Sequence, residues 1–381
     1  MKQNWIYKKL GEVATFVNGY PFKPIDWGVT GKPIIRIQNL NNANAPYNYF
    51  NGAIDSRYIV NEGEVLISWS GTLGVYEWNN NESALLNQHI FKVVFDKDPI
   101  NKGFFKYAIS SRINEMKSKV HGITMQHITK GEFDNTTIPV PPLADQSRIV
   151  AELDLLQSII DKQKAQLKEY DTLAQSIFYD MFGDPVDNEK GWEMKKLGDC
   201  CKSVSYGTSA PSSSQGKFIY LRMNNITYGG ELDLTDVKYI DLEPSDFEKY
   251  SVREGDILFN RTNSAELVGK TTWFHNHNPM VIAGYIIRVR LDEMLLPTYV
   301  SIFMNTKEMK VVLKAMGKGA VNQSNINSKE LQSIRIPLPP LSLQQTFAAK
   351  IEAIEQQKTR ISQSIAEAQK LFDYTMDKYF G

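Results

Sequence analysis

Residues 138–153 read IPVPPLADQSRIVAEL and residues 336–351 read IPLPPLSLQQTFAAKI, the same phrase written twice, 198 residues apart. From each phrase the chain runs without Pro or Gly as far as Gly183 and Gly381. A Pro-Pro pair cannot continue a preceding helix, and it stiffens the entry to a following one. Beyond the first pair, Ile149, Leu153, Leu156, Ile160, Gln163, Leu167, Tyr170, Ala174, Ile177 and Met181 recur in alternating steps of four and three. Beyond the second, Phe347, Ile351, Ile354, Lys358, Ile361, Ile365, Ala368, Phe372, Thr375 and Tyr379 do the same. A sustained 3.5-residue repeat is the mark of coiled-coil packing. It predicts helices over 143–184 and 341–381, each roughly 60 Å long at 1.5 Å per residue, pairing antiparallel. The polar seam members Gln163 and Lys358 either fix the register or mark where the seam is wet. A second apolar row, Leu155, Ile159 and Leu173, is left over on the first helix and suits a partner's helices.

The repetition extends outward from these helices. WIYKKLGEV (5–13) matches WEMKKLGDC (192–200), IIRIQNL (34–40) matches YLRMNNI (220–226), and YIVNEGEVLIS (58–68) matches YSVREGDILFN (250–260). These anchors read mostly as strands, as do FKVVF (91–95) and YIIRVRL (285–291), while apolar spacing predicts local helices near 101–119 and 297–316. The loops between anchors differ in length, so one scaffold carries two different surfaces. The fold class is therefore α+β: globular blocks at 1–142 and 185–340, each followed by a long helix. Internal pseudo-symmetry of this kind suits a partner that is itself two-fold, as duplex DNA is.

Composition narrows the function. The two cysteines, Cys200 and Cys201, are adjacent, and the five histidines lack metal-ligand spacing, which argues for a reducing, cytoplasmic setting without structural zinc. No signal-peptide core and no membrane-length apolar run is present. Net charge is zero, but residues 1–142 carry 15 Lys+Arg against 12 Asp+Glu, and residues 143–184 carry 4 against 8. The blocks are mildly basic and the first helix is acidic, so much of any phosphate-dependent affinity is expected from partner subunits. Catalytic motifs are absent. SAELVGKT (264–271) approaches a phosphate loop but lacks its first Gly. Neither Pro-Pro pair follows Asn or Asp, as an adenine methyltransferase motif requires. His121 and His127 have no evident nucleophile to activate.

With these residues in hand, the chain resembles the specificity subunit of type I restriction–modification systems. The likeness rests on the Pro-Pro-Leu-x-x-Gln entries (Pro141-Pro142-Leu143 with Gln146, Pro339-Pro340-Leu341 with Gln344), the twin Trp…Lys-Leu-Gly openings and the Gly-Glu/Asp-Val/Ile-Leu strands, in order and over essentially the whole chain. Where the family usually has Glu before the Gln, Asp145 and Leu343 stand here. The resemblance implies that each block is a target-recognition domain for half of a bipartite, asymmetric DNA site. It implies that the helices set the gap between halves and dock two methyltransferase subunits, which carry S-adenosylmethionine. It implies too that a restriction/translocase subunit using ATP and Mg joins for cleavage, and that this chain binds no cofactor and performs no chemistry. The alternative is a coiled-coil adaptor joining two protein-binding domains, which predicts no sequence-selective retention of DNA.

Base edges are read by Arg or Lys at guanine and by Asn or Gln at adenine. The first block offers Arg36, Gln38, Asn39, Ser70, Thr72, Gln126, His127 and Lys130. The second offers Arg222, Asn224, Asn225, Arg261, Asn263, Lys270, Lys318, Gln323 and Asn325. Lys130, Lys270 and Lys318 fit phosphate contacts, which position a protein without specifying sequence.

Overall fold

The computed structural model describes residues 5–42, 44–119, 130–317 and 324–381. The repeated motifs at the two ends of each block prove to be physical partners. Ile6–Lys9 pairs antiparallel with Thr137–Val140, in register Ile6 to Val140. Glu193–Lys196 pairs with Arg335–Leu338, in register Glu193 to Leu338. Just after each opening strand the Leu amide donates to the closing segment, Leu10 to the Thr136 carbonyl at 2.9 Å and Leu197 to that of Ile334 at 2.8 Å. Each ribbon thus ties the start of a block to its end, and the Pro-Pro pair turns the closing strand into a helix.

Between the two strands of each ribbon lie two four-stranded sheets with the same connectivity in both copies. In the first copy, Thr15–Asn18, Ile90–Val94, Val65–Ser68 and Gly74–Glu77 form an antiparallel sheet in that spatial order. The second copy builds it from Cys201–Tyr206, Ile286–Leu291, Ile257–Asn260 and Thr271–Trp273. The other sheet contains one parallel pair, Lys32–Ile35 beside Ala84–Leu86, repeated as Phe218–Leu221 beside Met280–Ile282. The chain crosses between sheets at Gly19 and Gly207. A Cβ there would sit 1.9 Å from the Asn87 carbonyl oxygen and 2.2 Å from that of Ile282, so only glycine permits the approach.

Two expected elements differ. The anchors at 34–40 and 220–226 begin as strands but become helical turns, Ile37–Asn41 and Met223–Asn225. At each, the amide of the preceding Arg donates to the Asn three residues on: Arg36 to Asn39 Oδ1 at 3.1 Å, and Arg222 to Asn225 Oδ1 at 2.8 Å. The helix expected near 297–316 is two, Pro297–Asn305 and Lys307–Met316. Thr306 is extended between them, and its hydroxyl accepts from the Met309 amide to start the second.

The long helices span Leu143–Phe182 and Leu341–Phe380, 40 residues each. The chain forms two compact units, residues 1–162 with Ser364–Gly381, and residues 163–363. Within the first, Ile149 and Leu153 share a core with Phe372, Met376, Tyr379 and Phe380 and with Phe104, Phe105 and Ile109 of the local helix Lys102–Lys119. Within the second, Tyr170, Ala174, Phe178 and Phe182 share a core with Phe347, Ile351 and Ile354. The opening half of one long helix therefore packs on the closing half of the other in each unit, which is antiparallel pairing. All ten second-helix seam positions are buried or half-buried, as are the ten of the first.

Gln146 and Gln344, the last residues of the two Pro-Pro-Leu-x-x-Gln phrases, are 1% and 0% exposed. Gln146 accepts from the Asn101 amide at 2.8 Å and donates to the Pro141 carbonyl at 2.7 Å. Gln344 accepts from the Leu296 amide at 2.9 Å and donates to the carbonyls of Met294 and Pro339, both at 2.9 Å. Each amide joins the start of a long helix to the residue before a local helix. Gln344→Leu keeps the volume but strands a buried N–H and two carbonyls, for an expected loss of about 2–4 kcal/mol. Chemical denaturation measures it; an unmoved midpoint would show the latch to be dispensable.

Candidate nucleic-acid interface

Most of the candidate readers among the described residues lie at the turns that follow the shared strands. In the second unit, Arg222, Met223, Asn224, Arg261, Tyr220, Thr208 and Tyr285 line a cleft of about 600 Å³. Arg222 Nη2 donates at 3.0 Å to both the carboxylate and the carbonyl of Asp236, so its charge is paired inside the fold. Arg261 instead lies over the Tyr206 ring, 4.8 Å from its centroid, and donates from Nη2 to Asn325 Oδ1 at 3.2 Å. The Asn325 amide in turn donates to the Thr262 hydroxyl at 2.9 Å. Asn224 is exposed on the cleft. Asn263 sits on the short strand Thr262–Asn263, paired with Ser324–Asn325, and accepts from the Ser264 amide.

In the first unit, Arg36 lies over the Trp27 ring at 4.9 Å and donates to Asn48 Oδ1 at 3.0 Å. Gln38 is exposed, with its amide 3.4 Å from the Pro46 carbonyl. Thr72 is exposed, its carbonyl accepting from the Ser68 hydroxyl, whereas Ser70 is buried. Lys130 is exposed and paired with Asp134 at 2.5 Å. Gln126, His127, Lys318 and Gln323, with His121, lie outside the described residues.

Three expected readers are committed elsewhere in the fold. Asn39 and Asn225 are 6% and 2% exposed, and both amides donate to loop carbonyls: Asn39 to Ala45 and Pro46, Asn225 to Asp233 and Asp236. They shape the turns that present Gln38 and Asn224. Lys270 is 8% exposed, and its ammonium donates to the Met223 carbonyl at 2.7 Å. Burial pushes its pKa down, and the same cause, aided by Lys270, pushes Lys310 down to about 8. The near-miss phosphate loop at 264–271 therefore turns its lysine inward, under the Arg222 turn. No sequence signal separates Lys270 from a surface lysine, because its ammonium is taken up by a helical turn 47 residues earlier in the chain.

Aromatic residues that the sequence reading left aside hold two of the candidate readers in place. Tyr206 carries Arg261 on its ring and is itself pinned, its hydroxyl accepting from the Ser328 amide at 2.8 Å. Trp27 does the same for Arg36. On the long helices, Lys358 binds Asp171 at 2.7 Å, Glu355 at 3.3 Å and Glu231. Burial opposes its charge, but the bonds to Asp171 and Glu231 outweigh it and hold its pKa above the ordinary lysine value. It joins both long helices to the loop that follows the Arg222 turn. Leu155, Ile159 and Leu173, the leftover apolar row, are 63%, 38% and 45% exposed. Among the described residues, no group of His, Cys, Asp and Glu is arranged to hold a metal, and no helix is long and apolar enough to cross a membrane.

Two globular units whose ribbons and four-stranded sheets share one connectivity, each sharing in a pair of long antiparallel helices and lined with differing polar turns, define a duplicated protein. The chain belongs to the family described as type I restriction modification DNA specificity domain, which matches residues 2–169 and 189–369. It is similar to the type I restriction enzyme EcoBI specificity subunit of Escherichia coli, with 25% identity over 92% of this chain and 79% of that one. Similarity to the EcoKI specificity subunit of Escherichia coli strain K12 is 24%, over 93% and 82%. The fold matches the crystal structure of the type I restriction–modification S subunit from M. genitalium, with a TM-score of 0.55 and 14% identity over 99% of this chain and 96% of that one. The chain is thus a type I specificity subunit, a component that recognises DNA and does not itself catalyse.

Proposed function

We propose that each unit reads one half of a bipartite, asymmetric DNA site in the cytoplasm. The observation that carries this reading is one topology built twice with unlike side chains at equivalent turns. The long helices set the gap between the half-sites and dock two adenine-methyltransferase subunits. Their uninterrupted 40-residue length supports the first role, and the exposed Leu155, Ile159 and Leu173 row supports the second. S-adenosylmethionine belongs to the methyltransferase, and ATP and Mg to a restriction/translocase subunit that joins for cleavage. Arg36, Gln38, Thr72, Arg222, Asn224, Arg261 and Asn263 are the proposed contacts to bases, and Lys130 to phosphate. Asn39, Asn225 and Lys270 act from behind them.

Sequencing the modified bases of a host that carries the intact system tests this directly. The expected result is methyladenine in a motif of two dissimilar short words separated by a fixed unspecified gap. A continuous motif, or none that depends on this chain, would remove the reading.

A further inference from the structure

The two copies part company at one equivalent position, and the difference has a chemical meaning. Directly after the strand Val65–Ser68, the Trp69 amide donates to the His89 carbonyl at 3.2 Å. Directly after Ile257–Asn260, the Arg261 amide donates to the Tyr285 carbonyl at 2.9 Å. Position for position, then, the first unit presents an indole beside an imidazole, with ring centroids 5.0 Å apart. The second presents a guanidinium, with Tyr285, 52% exposed, lining the same cleft.

Arg261 has the attributes of a preset reader. Its plane rests on Tyr206, and Tyr206 is fixed by Ser328. Its Nη2 is held by a neutral acceptor, Asn325, which orients the fork without quenching its charge. Its neighbour in the cleft, Arg222, is by contrast paired with the Asp236 carboxylate. A guanidinium ordered before binding loses little entropy on contact, and a planar fork matches the O6/N7 edge of guanine bidentately. An indole offers one donor and a large apolar face, and cannot make that contact.

We propose that Arg261, in the cleft walled by Asn224 and Tyr285, reads a guanine in the half-site of the second unit, and that Trp69, at the equivalent position of the first unit, makes no such contact. The assignment rests on the proposed DNA-reading role and names the base class for one of its sites. A phosphate is the competing occupant, since it too accepts from a guanidinium, but a phosphate contact carries no sequence information.

The test is selection of a randomised duplex library by the full-length chain in complex with its methyltransferase, for the wild type, Arg261→Ala and Arg261→Gln. In the expected result the wild type selects two words. Arg261→Ala loses guanine preference roughly tenfold or more at one position of one word, leaving the other word intact. Arg261→Gln keeps a planar partner for Asn325 should the alanine variant fold poorly, and it moves that position towards adenine. Weaker retention with both words unchanged means a phosphate contact and overturns the guanine assignment, while leaving the duplicated-reader function standing. A wild type that selects no words overturns both.

Discussion

Ile351→Asp is expected to unfold the second unit under conditions in which the wild type is stable. Ile351 is 1% exposed, in a core that joins Phe347 and Ile354 of its own helix to Phe178 and Phe182 of the other long helix and to Tyr299, Leu331 and Ile336 of the globular part. Truncating a buried Ile costs about 2–5 kcal/mol, and burying a carboxylate among these rings adds a desolvation penalty. For a unit of this size, a loss of about 4 kcal/mol lowers the melting temperature by on the order of 10 °C. Calorimetry of the full chain reads the effect. The expected result is a lower melting temperature for the variant; equal melting of variant and wild type would mean that the seam is not packed.

The second large effect is at the other end of the same helix. Phe380 is 1% exposed, its ring 5.2 Å from that of Phe104, and its carbonyl accepts from Arg112 at 3.0 Å. Beside it, Tyr379 stacks with Trp5 and donates to Glu152 at 2.8 Å. Phe380→Ala leaves a cavity in the first unit, expected to cost about 3–5 kcal/mol. Removing Ser364–Gly381 altogether takes away Phe372 and Met376 as well, and exposes Ile149 and Leu153. Limited proteolysis resolves the outcome. In both variants, residues 1–162 are expected to become the sensitive part; preferential cutting within 163–363 would contradict this assembly.

Much of this architecture was legible because it repeats at fixed spacing. The 3.5-residue seam could be read to its last residue, since burial along a long helix follows its apolar period, and the strands at 65–68 and 257–260 fell where alternation placed them. Pairing at a distance was not legible. Nothing in WIYKKLGEV announces that it closes a ribbon with the phrase at 138–140, because a ribbon's register depends on both edges and on everything folded between them. The Arg-x-x-Asn turns show the same limit: Asn39 and Asn225 match the chemistry of base readers, yet loop carbonyls close around their amides. Lys358 sat in a seam reserved for apolar side chains, and only the fold reveals Asp171, Glu231 and Glu355 around it. Arg261 was named as a candidate reader, but Tyr206 and Ser328, which hold its guanidinium, lie 55 residues before it and 67 after it in the chain.

The first unit is assembled from both ends of the sequence, and this bears on how the chain is made. As it leaves the ribosome, the stretch up to residue 162 must wait, with Phe104 and Ile149 uncovered, while the whole of the second unit is translated. The second unit has all its pieces as soon as residue 363 has emerged. The block synthesised first is therefore the one finished last.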